Sequence, residues 1–370
     1  MSYGSSIRLL LGNVVHAADV IWARRLRRRP HFLPVLLLFV TWQCNRRCSM
    51  CGVSRIPSPL NEPELSLEEY VAVFRSARRL GTRLMLVSGG EALTRGAMLF
   101  DLIASAREHG IATHLCTNGG LVTDETAERL QECGTQSISV SLESPDSAIN
   151  DRIRGAGSHR QAIEALGRFQ RLAPRVHLGI NCTITSLNFR GVANMVPFAE
   201  SLGVHQIKFA PVHVNLLHHH KEAGDFGELL FQEAQWPELR AEMRALSAAV
   251  RKTRLLATSP YFINRIPGSP RERRLAACYA GYSACAMDPY GYISPCPDIA
   301  TTLSVRQRPL DAWWQSEEFD ALRRQVDACD CRCWDALFAE MSLRMGANSL
   351  WDGFWRTLRS FTFYYGKSQP

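Results

Sequence analysis

The sequence predicts an α/β protein built on parallel strands. Short apolar runs alternate with helix-period segments through roughly the first 210 residues. Six strand-like runs recur about 25–50 residues apart, which leaves room for a crossover helix between parallel neighbours. The composition, 46% hydrophobic and 21% charged, supports a sizeable core and excludes disorder or a collagen-like repeat. A chain of 370 residues allows two domains, or one α/β barrel with an appendage, at roughly 150 residues per domain. The candidates are a doubly wound sheet and a full or partial β/α barrel. Either places functional residues at the carboxyl ends of strands.

The elements follow from local chemistry. Val35–Val40 is a continuous apolar run, as a strand buried on both faces requires, and Pro34 suits its start. Ser66-Leu-Glu-Glu is a capping-box pattern that opens a helix to about Leu80, ended by Gly81. Leu84–Val87 is the second strand, followed by a glycine turn and a helix over Met98–His109. Ile111–Cys116, Ser137–Leu142, Val176–Ile184 and Val204–Phe209 supply the remaining strands. Asp124–Cys133, His159–Leu172 and Val192–Leu202 supply the helices between them. After Phe209 the rhythm breaks into a loop that carries His218, His219 and His220, read as solvated. Trp236–Leu256 reads as helix, and Tyr261–Pro270 as the domain boundary.

The 12 cysteines are unevenly spread. Clustered thiols in a chain this long suggest metal ligands in a reducing compartment. Cys116, Cys133 and Cys182 are isolated in apolar or helical surroundings and read as core. Cys44, Cys48 and Cys51 follow the first strand with C-x3-C-x2-C spacing. Three thiolates on one loop can hold three irons of a 4Fe-4S cube and leave the fourth iron open. A structural zinc site would need a fourth ligand, and none is evident nearby.

This loop resembles the signature of the radical S-adenosylmethionine (radical SAM) superfamily. The resemblance implies a partial (β/α)6 TIM-like barrel with a small cysteine-rich C-terminal extension. It also implies that Cys44, Cys48 and Cys51 bind a 4Fe-4S cluster whose open iron takes SAM. The activity implied is reductive cleavage of SAM to a 5′-deoxyadenosyl radical, which abstracts a hydrogen from substrate. Flavodoxin or ferredoxin is the implied electron donor. Gly89, Gly90 and Glu91 resemble the family motif that binds the SAM amino group. Ser141 and Glu143 resemble its ribose-contacting strand, where alternation puts Ser139, Ser141 and Glu143 on one face. Arg154 resembles an arginine that reaches the SAM carboxylate. Thr117-Asn118-Gly119 looks like the family's turn after the third strand, with no chemistry assigned to it. The resemblance covers roughly residues 33–210.

A second cysteine group follows. Cys278 and Cys296 flank a turn signal, Asp288-Pro-Tyr-Gly291, which reads as a β-hairpin. Cys329, Cys331 and Cys333 come later. The arrangement resembles the SPASM and twitch extensions of radical SAM enzymes, which implies an auxiliary 4Fe-4S cluster. Its ligands would be Cys278, Cys296 and two of the last three, with Cys285 either a ligand or core.

The expected organisation is an amphipathic basic segment over 1–32, the barrel over 33–210, and a loop and helical connection over 211–270. An auxiliary-cluster domain over 271–340 and an aromatic tail over 341–370 complete it. The net charge of +8 permits anionic partners and identifies none. Arg24, Arg25, Arg27, Arg28 and Arg29, with the helical stripe of Trp351, Phe354, Trp355 and Leu358, suit either packing on the barrel or a peripheral membrane contact. The apolar run Phe32–Val40 is too short for a bilayer span of about 20 residues. The expected location is therefore cytoplasmic. No nucleic-acid partner is expected, and the substrate would be a peptide, a protein or a lipid-linked molecule. The competing reading is a non-catalytic metal-binding interaction protein on a degenerate barrel.

Overall fold

The computed structural model describes residues 3–56, 62–213, 223–268, 277–329, 334–345, 360 and 363–364. The histidine run at 218–220, Cys331, Cys333 and the aromatic stripe at 351–358 lie outside the described residues. The chain opens with α1 (Tyr3–Leu26), β1 (Val35–Phe39), α2 (Leu67–Arg79), β2 (Leu84–Ser88), α3 (Ala97–Glu108) and β3 (Ala112–Thr117). It continues with α4 (Asp124–Glu132), β4 (Ser137–Ser141), α5 (Ser147–Arg154), α6 (Ser158–Leu172), β5 (His177–Ile184), α7 (Met195–Ser201) and β6 (Gln206–Pro211). It closes with α8 (Trp236–Lys252), β7 (Leu256–Ala257), α9 (Pro260–Ile263), β8 (Ala284–Met287), β9 (Ile293–Ser294), α10 (Leu310–Trp314), α11 (Glu317–Ala328) and α12 (Phe338–Arg344).

One sheet holds the nine strands in the order β7-β6-β5-β4-β3-β2-β1-β8-β9. Every pairing is parallel except β8 with β9. The sheet is open, as in a partial barrel. Alternation sends one face of each strand to the helices and the other to the lumen. Leu36, Leu38, Met85, Val87, Leu115, Ile138, Val140, Ile180 and Ile207 pack with the helices in one large core. The helices start and stop where their chemistry requires. Ser66 Oγ accepts from Glu69 N at 3.4 Å while Glu69 Oε2 accepts from Ser66 N at 2.8 Å, which completes the capping box of α2.

Three features depart from the sequence reading. Helix α8 stops at Lys252, four residues short of the expected end, and Leu256–Ala257 is strand β7. Leu256 N donates to His205 O at 2.9 Å, so this short strand is held by pairing with β6 rather than by its own pattern. Helix α5 was not expected; Asp146 caps it, its carboxylate accepting from Ala148 N at 2.7 Å. The third departure is β8. It heads the anticipated hairpin with β9, yet it also pairs parallel with β1, Val35 opposite Ala284. The C-terminal extension therefore continues the barrel sheet past its first strand.

Helix α1 docks on that extension. Val20 and Ala23 pack on Tyr279 and Tyr282. Arg24 donates to Cys278 O at 2.9 Å and pairs with Asp327 at 2.8 Å. Arg28 pairs with Asp19 at 3.0 Å and Arg29 with Asp320 at 2.6 Å. Three of the five clustered arginines are thus engaged within the protein, which leaves Arg25 and Arg27 exposed. Val14, Val15, Trp22 and Leu26 remain on the exposed side of α1. Among the described residues no helix is long and apolar enough to cross a membrane.

Arg323 locks α11 to the start of the hairpin. Its guanidinium is buried, donates to Gly281 O at 2.7 Å, Trp314 O at 2.8 Å and Asp320 at 2.6 Å, and faces the Trp314 and Phe319 rings. Arg323→Met keeps the side-chain length but leaves two buried carbonyls without their donor. The expected loss is about 3 kcal/mol, read as a lower urea midpoint. A loss under about 0.5 kcal/mol, the size of an ordinary surface substitution, would contradict this packing.

Candidate active site

The cysteine loop leaves β1 at the carboxyl end of the sheet. Cys44, Cys48 and Cys51 are all half-buried. Cys44 Sγ accepts from Arg46 N at 3.4 Å and from Asn118 Nδ2 at 3.9 Å. Burial pushes the Cys44 thiol above its ordinary value, opposed by the Arg46 amide. Cys48 Sγ lies 3.7 Å from Arg154 O. Ser49 donates through both N and Oγ to Ile153 O, each at 2.9 Å. The loop is therefore latched to the last turn of α5, where helix carbonyls have no intrahelical partner.

The glycine turn after β2 packs against the entry to that loop. Gly90 N donates to Thr41 O and Glu91 N to Gln43 O, both at 2.8 Å. A Cβ at Gly89 would sit 2.3 Å from Thr41 O, and one at Gly90 2.0 Å from Gln43 O. Gly89 also holds φ +132°, outside the usual range for L residues. The glycines are thus required by the close approach of the protein's own backbone.

The Glu91 carboxylate is bonded within the chain. It is 1% exposed. Its Oε1 accepts from Thr117 Oγ1 at 2.8 Å and Leu93 N at 3.3 Å; its Oε2 accepts from Asn118 N at 2.7 Å. Burial pushes the carboxyl upward, and these donors pull it back. The side chain expected to meet an ammonium ties the turn after β2 to the turn after β3.

Glu143 and Arg154 form a buried pair beside the cysteine loop, Oε1 to Nη1 at 2.5 Å. Thr183 N also donates to Glu143 Oε2. Burial pushes the Glu143 carboxyl up and Arg154 opposes it. Ser141, half-exposed at the end of β4, stands in register with Asn181, which stands in register with Lys208. The polar lumen row thus runs across β4, β5 and β6.

Cys116 departs from the core reading. It is half-buried on the lumen face of β3, and Asn181 Nδ2 lies 3.6 Å from its sulfur. Cys182 is buried in the helix-side core as expected, and Cys133 packs partly against it. Lys208 escaped the sequence reading, although a charged residue inside Gln206–Pro211 was the available signal. Its ammonium faces the Tyr364 ring at 5.2 Å and lines a cavity of about 160 Å³ with Gln206, Leu256, Leu337, Met341 and Tyr364.

In the extension, Cys278 and Cys296 pack on one small apolar cluster with Ala280, Ala284, Val326 and Phe338. Cys329 caps α11, three residues beyond Val326. Cys285 points from β8 into the other, helix-side core, where burial pushes its thiol up to about 12. Among the described residues, no three His, Cys, Asp or Glu side chains converge on a single metal ion. A 4Fe-4S cube does not ask for that, because each thiolate takes a different iron. Three half-buried thiols on one loop, the first carrying two N–H donors, fit such a group.

The chain is 28% identical over 320 residues to a PqqA peptide cyclase of Streptomyces rochei, covering 80% of this chain and 84% of that one. It is 24% identical over 304 residues to an AdoMet-dependent heme synthase of Nitratidesulfovibrio vulgaris, covering 78% and 80%. Its fold is similar to Streptococcus suis SuiB bound to its precursor peptide SuiA, with TM-score 0.63, 17% identity, and coverage of 85% of this chain and 71% of that one. It is also similar to anSMEcpe with bound AdoMet, with TM-score 0.60, 16% identity, and coverage of 90% and 96%. Residues 38–192 match the model of the Radical SAM superfamily, and this part of the chain is a radical SAM domain.

Proposed function

We propose that this enzyme modifies a peptide by hydrogen abstraction, with Cys44, Cys48 and Cys51 holding the catalytic 4Fe-4S cluster. The observation that carries the reading is the three-cysteine loop, locked by the glycine turn and α5 at the carboxyl end of the parallel strands. When bound, the cluster and SAM supply reductive cleavage to methionine and a 5′-deoxyadenosyl radical. The chain's own part is to seat SAM and hold substrate. In this reading the backbone of Gly89 and Gly90 borders the methionine, and the Glu91 side chain braces the turn instead of meeting the ammonium. Ser141 faces the ribose, and the Glu143–Arg154 pair walls the pocket beside the cysteines. Asn181, Lys208 and Cys116 form the substrate-facing row. A peptide substrate is supported by relatives named for a peptide cyclase and by SuiB solved with its precursor peptide. Flavodoxin or ferredoxin is the proposed electron donor.

The division at about residue 270 is part of the proposal, with 271–340 as a SPASM/twitch-like unit. Its auxiliary cluster would use Cys278, Cys296 and Cys329, completed from Cys331 or Cys333. Leaving Cys285 out is supported by its packing in a different apolar cluster from Cys278 and Cys296.

Two measurements follow. With SAM and dithionite under anaerobic conditions, the parent protein is expected to release 5′-deoxyadenosine. Cys48→Ala is expected to release less than about one part in a hundred of that, since a cluster ligand is gone. Equal release by the variant would reject the site. Separately, replacing Cys44, Cys48 and Cys51 together by Ala is expected to leave about four irons per chain, the content of one cube. Adding Cys278→Ala and Cys296→Ala should bring iron to background and loosen the extension, because metal binding there is coupled to folding. Loss of all iron from the first, folded variant would remove the auxiliary cluster.

A further inference from the structure

The turn after β3 carries a residue whose side chain has only one way to sit. Asn118 is 7% exposed. Its Oδ1 accepts from Gly120 N at 2.8 Å, which decides which end of the amide is oxygen. The Nδ2 group therefore points the other way, and it has two hydrogens to give. One goes to Asn45 Oδ1 at 2.8 Å, inside the cysteine loop. The other faces Cys44 Sγ at 3.9 Å. The backbone N–H of the same residue donates to Glu91 Oε2 at 2.7 Å. A flipped amide would set Oδ1 against Asn45 Oδ1 and Nδ2 against Gly120 N–H.

The three thiols are therefore not equivalent. Cys44 receives two N–H donors, from Arg46 and Asn118. Cys48 instead lies beside the Arg154 carbonyl. An N–H aimed at a cluster thiolate stabilises the more negative, reduced state and raises the reduction potential. The Asn118 side chain is fixed before any cluster arrives, so its dipole needs no reorganisation when an electron is added.

We propose that Asn118 sets the reduction potential of the cluster held by Cys44, Cys48 and Cys51 by donating its side-chain N–H to the Cys44 sulfur. It is a positioning residue, acting through the thiolate and not on substrate. The inference rests on the radical SAM reading of the cysteine loop and adds a role to a turn with no assigned chemistry.

The test is an EPR-monitored redox titration of the reconstituted full-length protein. The signal followed is the one that changes when SAM is added, which separates this cluster from an auxiliary one. Asn118→Ala is expected to shift the reduction equilibrium about tenfold toward the oxidised form, about 59 mV more negative for a one-electron couple. Asn118→Asp keeps the shape and the acceptor for Gly120 but turns an oxygen toward the sulfur, so its shift should be larger in the same direction. Thr94→Val removes a neighbouring hydrogen bond to Glu91 O, leaves the Glu91 carboxylate and the Asn118 turn in place, and should titrate as the parent does. Parent-like potentials in both Asn118 variants would overturn the proposal. So would an equal shift in Thr94→Val, which would mark a general loosening. Loss of the signal from both Asn118 variants would make the residue a structural holder and overturn the tuning role. A parent protein that forms iron–sulfur clusters but shows no SAM-responsive signal would overturn the underlying reading, and the inference with it.

Discussion

Everything at the mouth of this barrel depends on one buried carboxylate. Glu91 has almost no contact with solvent, and its two oxygens accept three hydrogen bonds from the chain itself. A buried carboxylate without such donors would be strongly destabilising. Its own backbone N–H reaches Gln43 O, at the root of the cysteine loop. One residue therefore joins three loops that leave β1, β2 and β3. The cysteine loop is fastened on its far side by α5, through Ser49 to Ile153. A loop rich in thiols and held at both margins can present its sulfurs before metal arrives.

The lumen is divided along the same strands. On the β1, β2 and β8 side it is apolar, with Val35, Leu84, Leu86 and Ala284 packed against Val326 and Phe338. On the β3 to β6 side it carries Cys116, Ser139, Ser141, Asn181, Gln206 and Lys208. Tyr364, near the C-terminus, reaches both sides: it packs with the apolar cluster, and Gln206 Nε2 donates to its hydroxyl at 3.1 Å.

Much of this was legible in the sequence because local chemistry decides it. The capping box at Ser66, the apolar run at Val35 and the hairpin turn at Asp288 each carry their own signal. The cysteine loop carries its signal in the spacing of Cys44, Cys48 and Cys51. What escaped depends on distant partners. Strand β7 exists because His205 O is available to Leu256 N. The pairing of β8 with β1 joins residues about 250 positions apart and leaves no local pattern. Helix α5 does carry a local signal, the Ser-Pro-Asp-Ser start capped by Asp146. The glycine turn follows β2, where the sequence places it. The close approach its glycines permit is to Thr41 and Gln43. The Glu91 carboxylate is consumed by two turns that no spacing rule connects.

The most direct test of this account is the cluster content of Glu91→Gln, measured by anaerobic iron and sulfide analysis together with SAM affinity. An amide in this position sets an N–H₂ against a donor, either Asn118 N–H or the Thr117 hydroxyl and Leu93 N–H. The loops should then part, and the account predicts that iron at the first site is lost, or is removed by a chelator at least about tenfold faster than from the parent, as for a break worth about 1.4 kcal/mol. Full and equally durable iron loading, with only SAM affinity reduced, would show that Glu91 serves the ligand rather than the loop, and would contradict the account.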